Sequence, residues 1–160
     1  MCGTTKMTLN RDKETVLWSW LKKGLTHVKV PKHLQRIEDT TKSGTPDVEG
    51  CIAGQSFWIE LKIAYELEKS PEIRIKTTVH QVYFALSRCA AGGKSWYLIR
   101  VGQYPDYYHY LIPGSLAEEL FDKRISLNWL DNHSAIGPKS SAQQVIITAS
   151  QMNCYSIPSN

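Results

Sequence analysis

One turn and the hairpin behind it constrain this chain more than any other stretch. Ser43-Gly44-Thr45-Pro46-Asp47 is built of turn-forming residues, and two strand-like runs follow at about 46–53 and 56–63, folding back through Ala53-Gly54-Gln55-Ser56. Side chains alternate across a strand, so Glu60 and Lys62 share one face and Leu61 takes the other. A hairpin closing at Gly54 returns Asp47 to the side of that pair. The second run, Phe57-Trp58-Ile59 with Leu61 and Ile63, is too apolar for a wet edge, so its charges require partners. Two carboxylates and an ammonium converging at one sheet edge suit a divalent cation and an oriented water.

The rest of the chain reads as one domain around that hairpin. Its 160 residues, 42% hydrophobic with five Trp, are enough for a real core and argue against disorder. A net charge of +4 permits a polyanionic partner without requiring one. Cys2, Cys51, Cys89 and Cys154 form no Cys-x-x-Cys pair and no His pair has zinc-finger spacing. Reduced thiols are therefore expected, with Cys51 and Cys89 in the core. The first residues carry no basic-then-apolar leader and no apolar run reaches membrane-spanning length, which predicts a cytoplasmic protein with no membrane partner.

In order, an untethered tail over 1–9 precedes a helix capped by Asn10 or Asp12 and running to about Lys23. Val16, Leu17, Trp20 and Leu21 form its apolar face, and Gly24 stops it. A strand around 33–38 and the hairpin follow, then a polar surface loop over 64–76. Thr77 or Thr78 caps a second helix with Val82, Tyr83, Leu86 and Ala90 on its buried face. Residues 96–101 read as a central strand and 107–112 as its neighbour, with a short helix starting at Pro113-Gly114-Ser115. Beyond Ser126, Ser140 or Ser141 can cap a helix over 142–149. The run Val145-Ile146-Ile147-Thr148 favours strand or irregular structure there instead. The order helix, three strands, helix, strand predicts an α/β class with a mixed sheet flanked by helices. A core over 10–125 and a C-terminal extension over 126–160 within the same domain are expected.

Phosphodiester hydrolysis needs neutralised phosphate charge, an activated water and a stabilised leaving oxygen, which Mg²⁺ held by carboxylates supplies in large part. Asp47, Glu60 and the Leu61 carbonyl form the expected ligand set. Lys62 is expected to orient the water, act as general base or stabilise phosphate charge.

Gly44-Thr45-Pro46-Asp47, Trp58-Ile59-Glu60-Leu61-Lys62 and the later Gln81 together resemble the PD-(D/E)xK nuclease superfamily. Within it, the chain looks most like small stand-alone VRR-NUC-type phage and bacterial nucleases related to Holliday-junction resolvases. The likeness spans roughly residues 11 to 101 and lacks the Val-Arg-Arg sequence that names the VRR-NUC group. It implies a restriction-endonuclease-like αβββαβ core and Mg²⁺-dependent cleavage of DNA, with Mn²⁺ as a substitute. Asp47 and Glu60 then correspond to metal-binding carboxylates, Lys62 to the catalytic lysine and Gln81 to a glutamine assisting the site. A further carboxylate is common, and Glu14 on the first helix matches it. Glu38, on the strand before the turn, competes for that role. Arg36, Lys32, Arg74 and Lys76 are the expected phosphate contacts. Tyr104, Tyr107, Tyr108 and Tyr110 suit stacking on unpaired bases or burial against the sheet. A resolvase-like activity on branched DNA implies a homodimer. The rivals are a nuclease without branch preference, in flap trimming or host-DNA degradation, and a DNA-binding module with a decayed site.

Overall fold

The computed structural model describes residues 4–38, 43–67 and 70–156, with side chains from residue 13 onward. Helix α1 (Thr4–Leu25) precedes strands β1 (Lys32–Arg36), β2 (Val48–Ile52) and β3 (Gln55–Ala64). The short β4 (Glu72–Ile73), helix α2 (Val79–Ala90) and strands β5 (Ser95–Gln103) and β6 (Asp106–Pro113) follow. Helix α3 (Ala117–Leu120), strand β7 (Ile125–Ser126), α4 (Leu127–His133) and α5 (Ala142–Gln151) complete the described chain.

The main sheet runs β1-β2-β3-β5-β6, and β4 pairs with β7 apart from it. β1, β2 and β3 form an antiparallel meander, and β6 is antiparallel to β5. β5 instead runs parallel to β3, because α2 carries the chain back across the sheet between them. The fold is therefore α/β with a mixed central sheet. Trp96 and Leu98 point into the core that holds Leu17 and Leu21 of α1, while Tyr97 and Ile99 point into the core under α2. With both faces covered, β5 has no wet side to mark with polar residues, which is why it reads as one apolar run.

Several expectations need correction. On α2 the buried face is Val82, Ala85 and Cys89, with Tyr83 and Ala90 exposed, and the stretch read as a surface loop over 64–76 buries Ile73 and Ile75. Helix α1 begins at Thr4, and Thr4–Leu9 belongs to it rather than to a tail; residues 1–3 and Cys2 lie outside the described residues. No Gly or Pro lies between Thr4 and Gly24, so nothing obliges the helix to wait for Asn10 or Asp12. The C-terminal segment is the helix α5, not a strand. The Ser141 side chain accepts from the Gln144 amide, and Ala142, Val145, Ile146 and Ala149 recur at helical spacing and are buried against α1 and the sheet. That interface outweighs the β propensity of the Val-Ile-Ile-Thr run, since each large apolar side chain buried contributes about 1.5–3 kcal/mol. Finally, Cys89 and Cys154 are joined as a disulfide with Cα atoms 5.9 Å apart, whereas Cys51 is free and only half-buried on β2. The pairing is long-range, brought about where the end of α2 and the C-terminal segment both meet Ser95. Among the described residues no helix is long and apolar enough to cross a membrane.

Candidate active site

The turn before β2 is set by its contact with α2. Gly44 has φ +91°, and a Cβ there would lie 2.5 Å from the His80 carbonyl oxygen, so only glycine lets the turn pack so closely on the start of the helix. The regular β2–β3 pairing ends at Val48↔Ile59. Asp47 then leaves the ladder and closes it with its side chain, Oδ2 accepting from the Leu61 amide at 2.8 Å. On its other side the Asp47 carbonyl accepts from the Ile37 amide at 2.7 Å. The hairpin thus holds the carboxylate of Asp47 against the backbone of the residue between Glu60 and Lys62.

Glu60 and Lys62 project together from the α2 face of β3, only 5% and 7% exposed. Lys62 Nζ lies 2.9 Å from Glu60 Oε1. Gln81 joins them to the helix. Its Nε2 donates to Glu60 Oε1, and its Oε1 accepts from Lys62 Nζ at 3.2 Å, the Thr78 amide at 2.9 Å and the Thr77 hydroxyl at 3.1 Å. Gln81 also completes the capping box of α2, with the Thr78 hydroxyl accepting from its amide. A residue that starts the helix therefore fixes the rotamers of both charged groups.

The carboxyls here are held in their neutral forms more strongly than usual. Burial pushes Glu60 up to about 8, against the attraction of Lys62, with Asp47 and Glu14 adding repulsion. Burial likewise raises Asp47, offset by the Leu61 amide, Lys62 and Arg36. Among the described residues, Glu60 Oε2 is buried without a hydrogen-bond partner. Lys62, with Arg36 acting on Asp47, does not offset the burial of this pair of acids, and among the described residues Glu60 Oε2 has no donor to compensate its own.

Among the described residues no three His, Cys, Asp or Glu side chains cluster into an all-protein metal cage. Asp47, bonded to the Leu61 amide, and Glu60 beside it could with the Leu61 carbonyl hold a hard cation such as Mg²⁺, which typically takes one or two carboxylates and keeps several waters. Glu14 acts electrostatically on Glu60 from the interior of α1, well past its first turn, so the helix dipole does not account for its position. Glu38 is exposed beyond the end of β1. Arg36 donates to the Thr15 hydroxyl at 3.1 Å and its charge acts on Asp47. Lys32, whose Nζ donates to the Val28 carbonyl, is exposed, as are Arg74 and Lys76 between β4 and α2. Tyr97 is a neighbour that sequence reasoning missed. It lies in register beside Glu60, and its buried hydroxyl faces Thr77 outside hydrogen-bond geometry, its ionisation pushed up to about 12 by burial. Only the β3–β5 register, which no local pattern encodes, could have pointed to it.

No protein-family model and no curated protein sequence matches this chain. Among solved structures it is similar to the Holliday junction resolvase Hjc of Archaeoglobus fulgidus, with a TM-score of 0.49 and 13% identity over 85% of this chain and 98% of that one. It is also similar to a bacterial homing endonuclease, with a TM-score of 0.41 and 12% identity over 78% of this chain and 76% of the other.

Proposed function

We propose that this protein is a divalent-metal-dependent endodeoxyribonuclease of the PD-(D/E)xK type. The observation that carries the proposal is the Asp47 carboxylate held on the Leu61 amide, beside a buried Glu60–Lys62 pair whose Glu60 Oε2 has no partner among the described residues. Asp47, Glu60 and the Leu61 carbonyl would hold Mg²⁺, with Mn²⁺ as a substitute, and Glu14 stands close enough to add charge to the set. Bound there, the ion neutralises phosphate charge and makes a water more acidic.

The chain's own residues supply position and charge. Lys62 is fixed by Glu60 and Gln81, and its ammonium is set to orient the attacking water or to stabilise charge developing on the phosphate. Gln81 positions both groups rather than touching the reacting atoms. Arg36 flanks Asp47 and is suited to a phosphate near the cut; Lys32, Arg74 and Lys76 are suited to more distant ones.

Branched DNA is the substrate this reading favours, and a resolvase that cuts two symmetry-related strands would act as a homodimer. Cleavage of a four-way junction, a flap and a linear duplex in Mg²⁺ tests it. Faster cutting of the branched substrates supports branch selectivity, and equal rates leave a nuclease without it. DNA binding with no cutting in Mg²⁺ or Mn²⁺ would reduce the protein to a binding module.

A further inference from the structure

A cleft of about 360 Å³ opens between α1 and the β5–β6 hairpin, on the opposite face of the sheet from Glu60 and Lys62. At its base is Arg100 of β5, only 5% exposed. Its Nε donates to His109 Nε2 at 2.9 Å, and its guanidinium lies 5.5 Å from the Trp20 ring centroid and 4.5 Å from that of Tyr107. Burial and the nearby Arg100 and Lys139 push His109 down to about 4, so it accepts as a neutral ring and brings no counter-charge. Among the described residues no carboxylate pairs with Arg100. Buried cations are ordinarily paired, because desolvating one alone is costly.

The other walls combine a cation with aromatic and apolar side chains. Lys13 adds a second cation, its Nζ 4.5 Å from the centroid of the Tyr65 ring and bonded to the Tyr65 hydroxyl. Tyr104 is 84% exposed at the rim, and Val16 is 56% exposed although it belongs to a helix with a buried face. Among the described residues no acidic side chain lines the cleft. Gly102, at φ +105°, shapes its edge: a Cβ there would lie 2.4 Å from the Asp106 carbonyl oxygen, so no other residue allows the hairpin to close at this point.

We propose that this cleft is a subsite for an unpaired nucleotide of the DNA strand being cut, with its phosphate on Arg100 and Lys13 and its base stacked on Tyr104 and Tyr107. A base paired within a duplex already has both π-faces covered by its neighbours, so the tyrosines select for one that is unstacked. Tyr65 lies three residues beyond Lys62, about 10 Å along the chain at the rise of a strand, so a DNA strand leaving the candidate active site would round the end of β3 to reach the cleft on the opposite face. The placement relative to the cut rests on the nuclease reading above, whereas the binding itself does not.

The test is binding in EDTA, where no cutting occurs, to a paired duplex and to the same duplex with a single-stranded flap carrying 2-aminopurine. One stacked base and one phosphate contact predict about ten-fold tighter binding of the flap, with quenched 2-aminopurine emission. Tyr104→Ala, at a solvent-exposed position, removes most of that preference and the quenching. Lys13→Met and Arg100→Met weaken it through the anion contact, the first serving where the second fails to fold. Tyr155→Ala, 63% exposed and outside the cleft, leaves the preference intact. Equal affinity for the two probes, or a Tyr104→Ala variant that keeps both preference and quenching, overturns the proposal. So does micromolar competition by dAMP with no advantage for the flap, which would make the ligand a free nucleotide. The two readings fail separately. Cutting in Mg²⁺ without flap preference in EDTA rejects the subsite alone, and flap preference without any cutting supports the subsite while rejecting the nuclease.

Discussion

Replacing Glu60 by Gln should make the metal-free protein less sensitive to alkali while abolishing its activity. In the folded protein Glu60 holds its proton up to about pH 8, whereas its ordinary value is 4.5. Between those values the folded state binds more protons than the unfolded chain, so stability falls as pH rises through the window and levels off above about 8. Below pH 6.5 the behaviour of His109 has the opposite sign, so the clean range lies above it. From pH 6.5 to 8 the linkage amounts to about 1–2 kcal/mol at 1.36 kcal/mol per unit, reduced as the folded group itself ionises near 8. Glutamine mimics the neutral acid and can still accept from Gln81, so the variant lacks this slope. Urea unfolding in EDTA at several pH values between 6.5 and 8.5 measures it. The wild type should lose about 1–2 kcal/mol relative to Glu60→Gln across the range, and Mg²⁺ should restore much of the loss to the wild type alone. Equal slopes in the two proteins would refute the argument that burial without enough positive charge governs this site.

Three further outcomes follow from other contacts. Gln81→Ala should cost about 1 kcal/mol through the lost capping box and lower cleavage about 10- to 100-fold by releasing Glu60 and Lys62; Gln81→Glu should recover the helix stability but not the cleavage, read by thermal melts and rates together. His109, lowered to about 4, withholds a proton that the unfolded chain takes up near 6.5, so stability present above pH 6.5 is lost as pH falls toward 4. His109→Gln should abolish up to about 3 kcal/mol of that acid sensitivity, measured by urea unfolding over the same range. Gly44→Ala should destabilise by more than about 1 kcal/mol and depress cleavage, because the strained turn and the His80 contact both displace Asp47.

The geometry of the candidate site was more legible than the domain around it, and the reason is distance along the chain. Asp47, Glu60 and Lys62 lie within one hairpin, where strand alternation and turn chemistry settle which side chains share a face. Glu14 and Glu38 could not be ranked from sequence, because that depended on where α1 begins. A start at Thr4 moves Glu14 into the helix interior, facing the site. Tyr97 and Arg100 gain their neighbours from the register of β5 against β3 and β6, and their own stretch shows only an apolar run. Likewise, α5 reads as a strand by local propensity and becomes a helix because Val145, Ile146 and Ala149 find α1 to pack against. The disulfide between Cys89 and Cys154 depends on the same long-range closure.

Nicking of a supercoiled plasmid by wild type, Asp47→Ala and Lys62→Ala, each in Mg²⁺ and in EDTA, tests the central claim most directly. The account predicts open-circular product from the wild type in Mg²⁺ only, with both variants inactive yet still folded and able to bind DNA. Nicking that persists in EDTA, or in either variant, would contradict it.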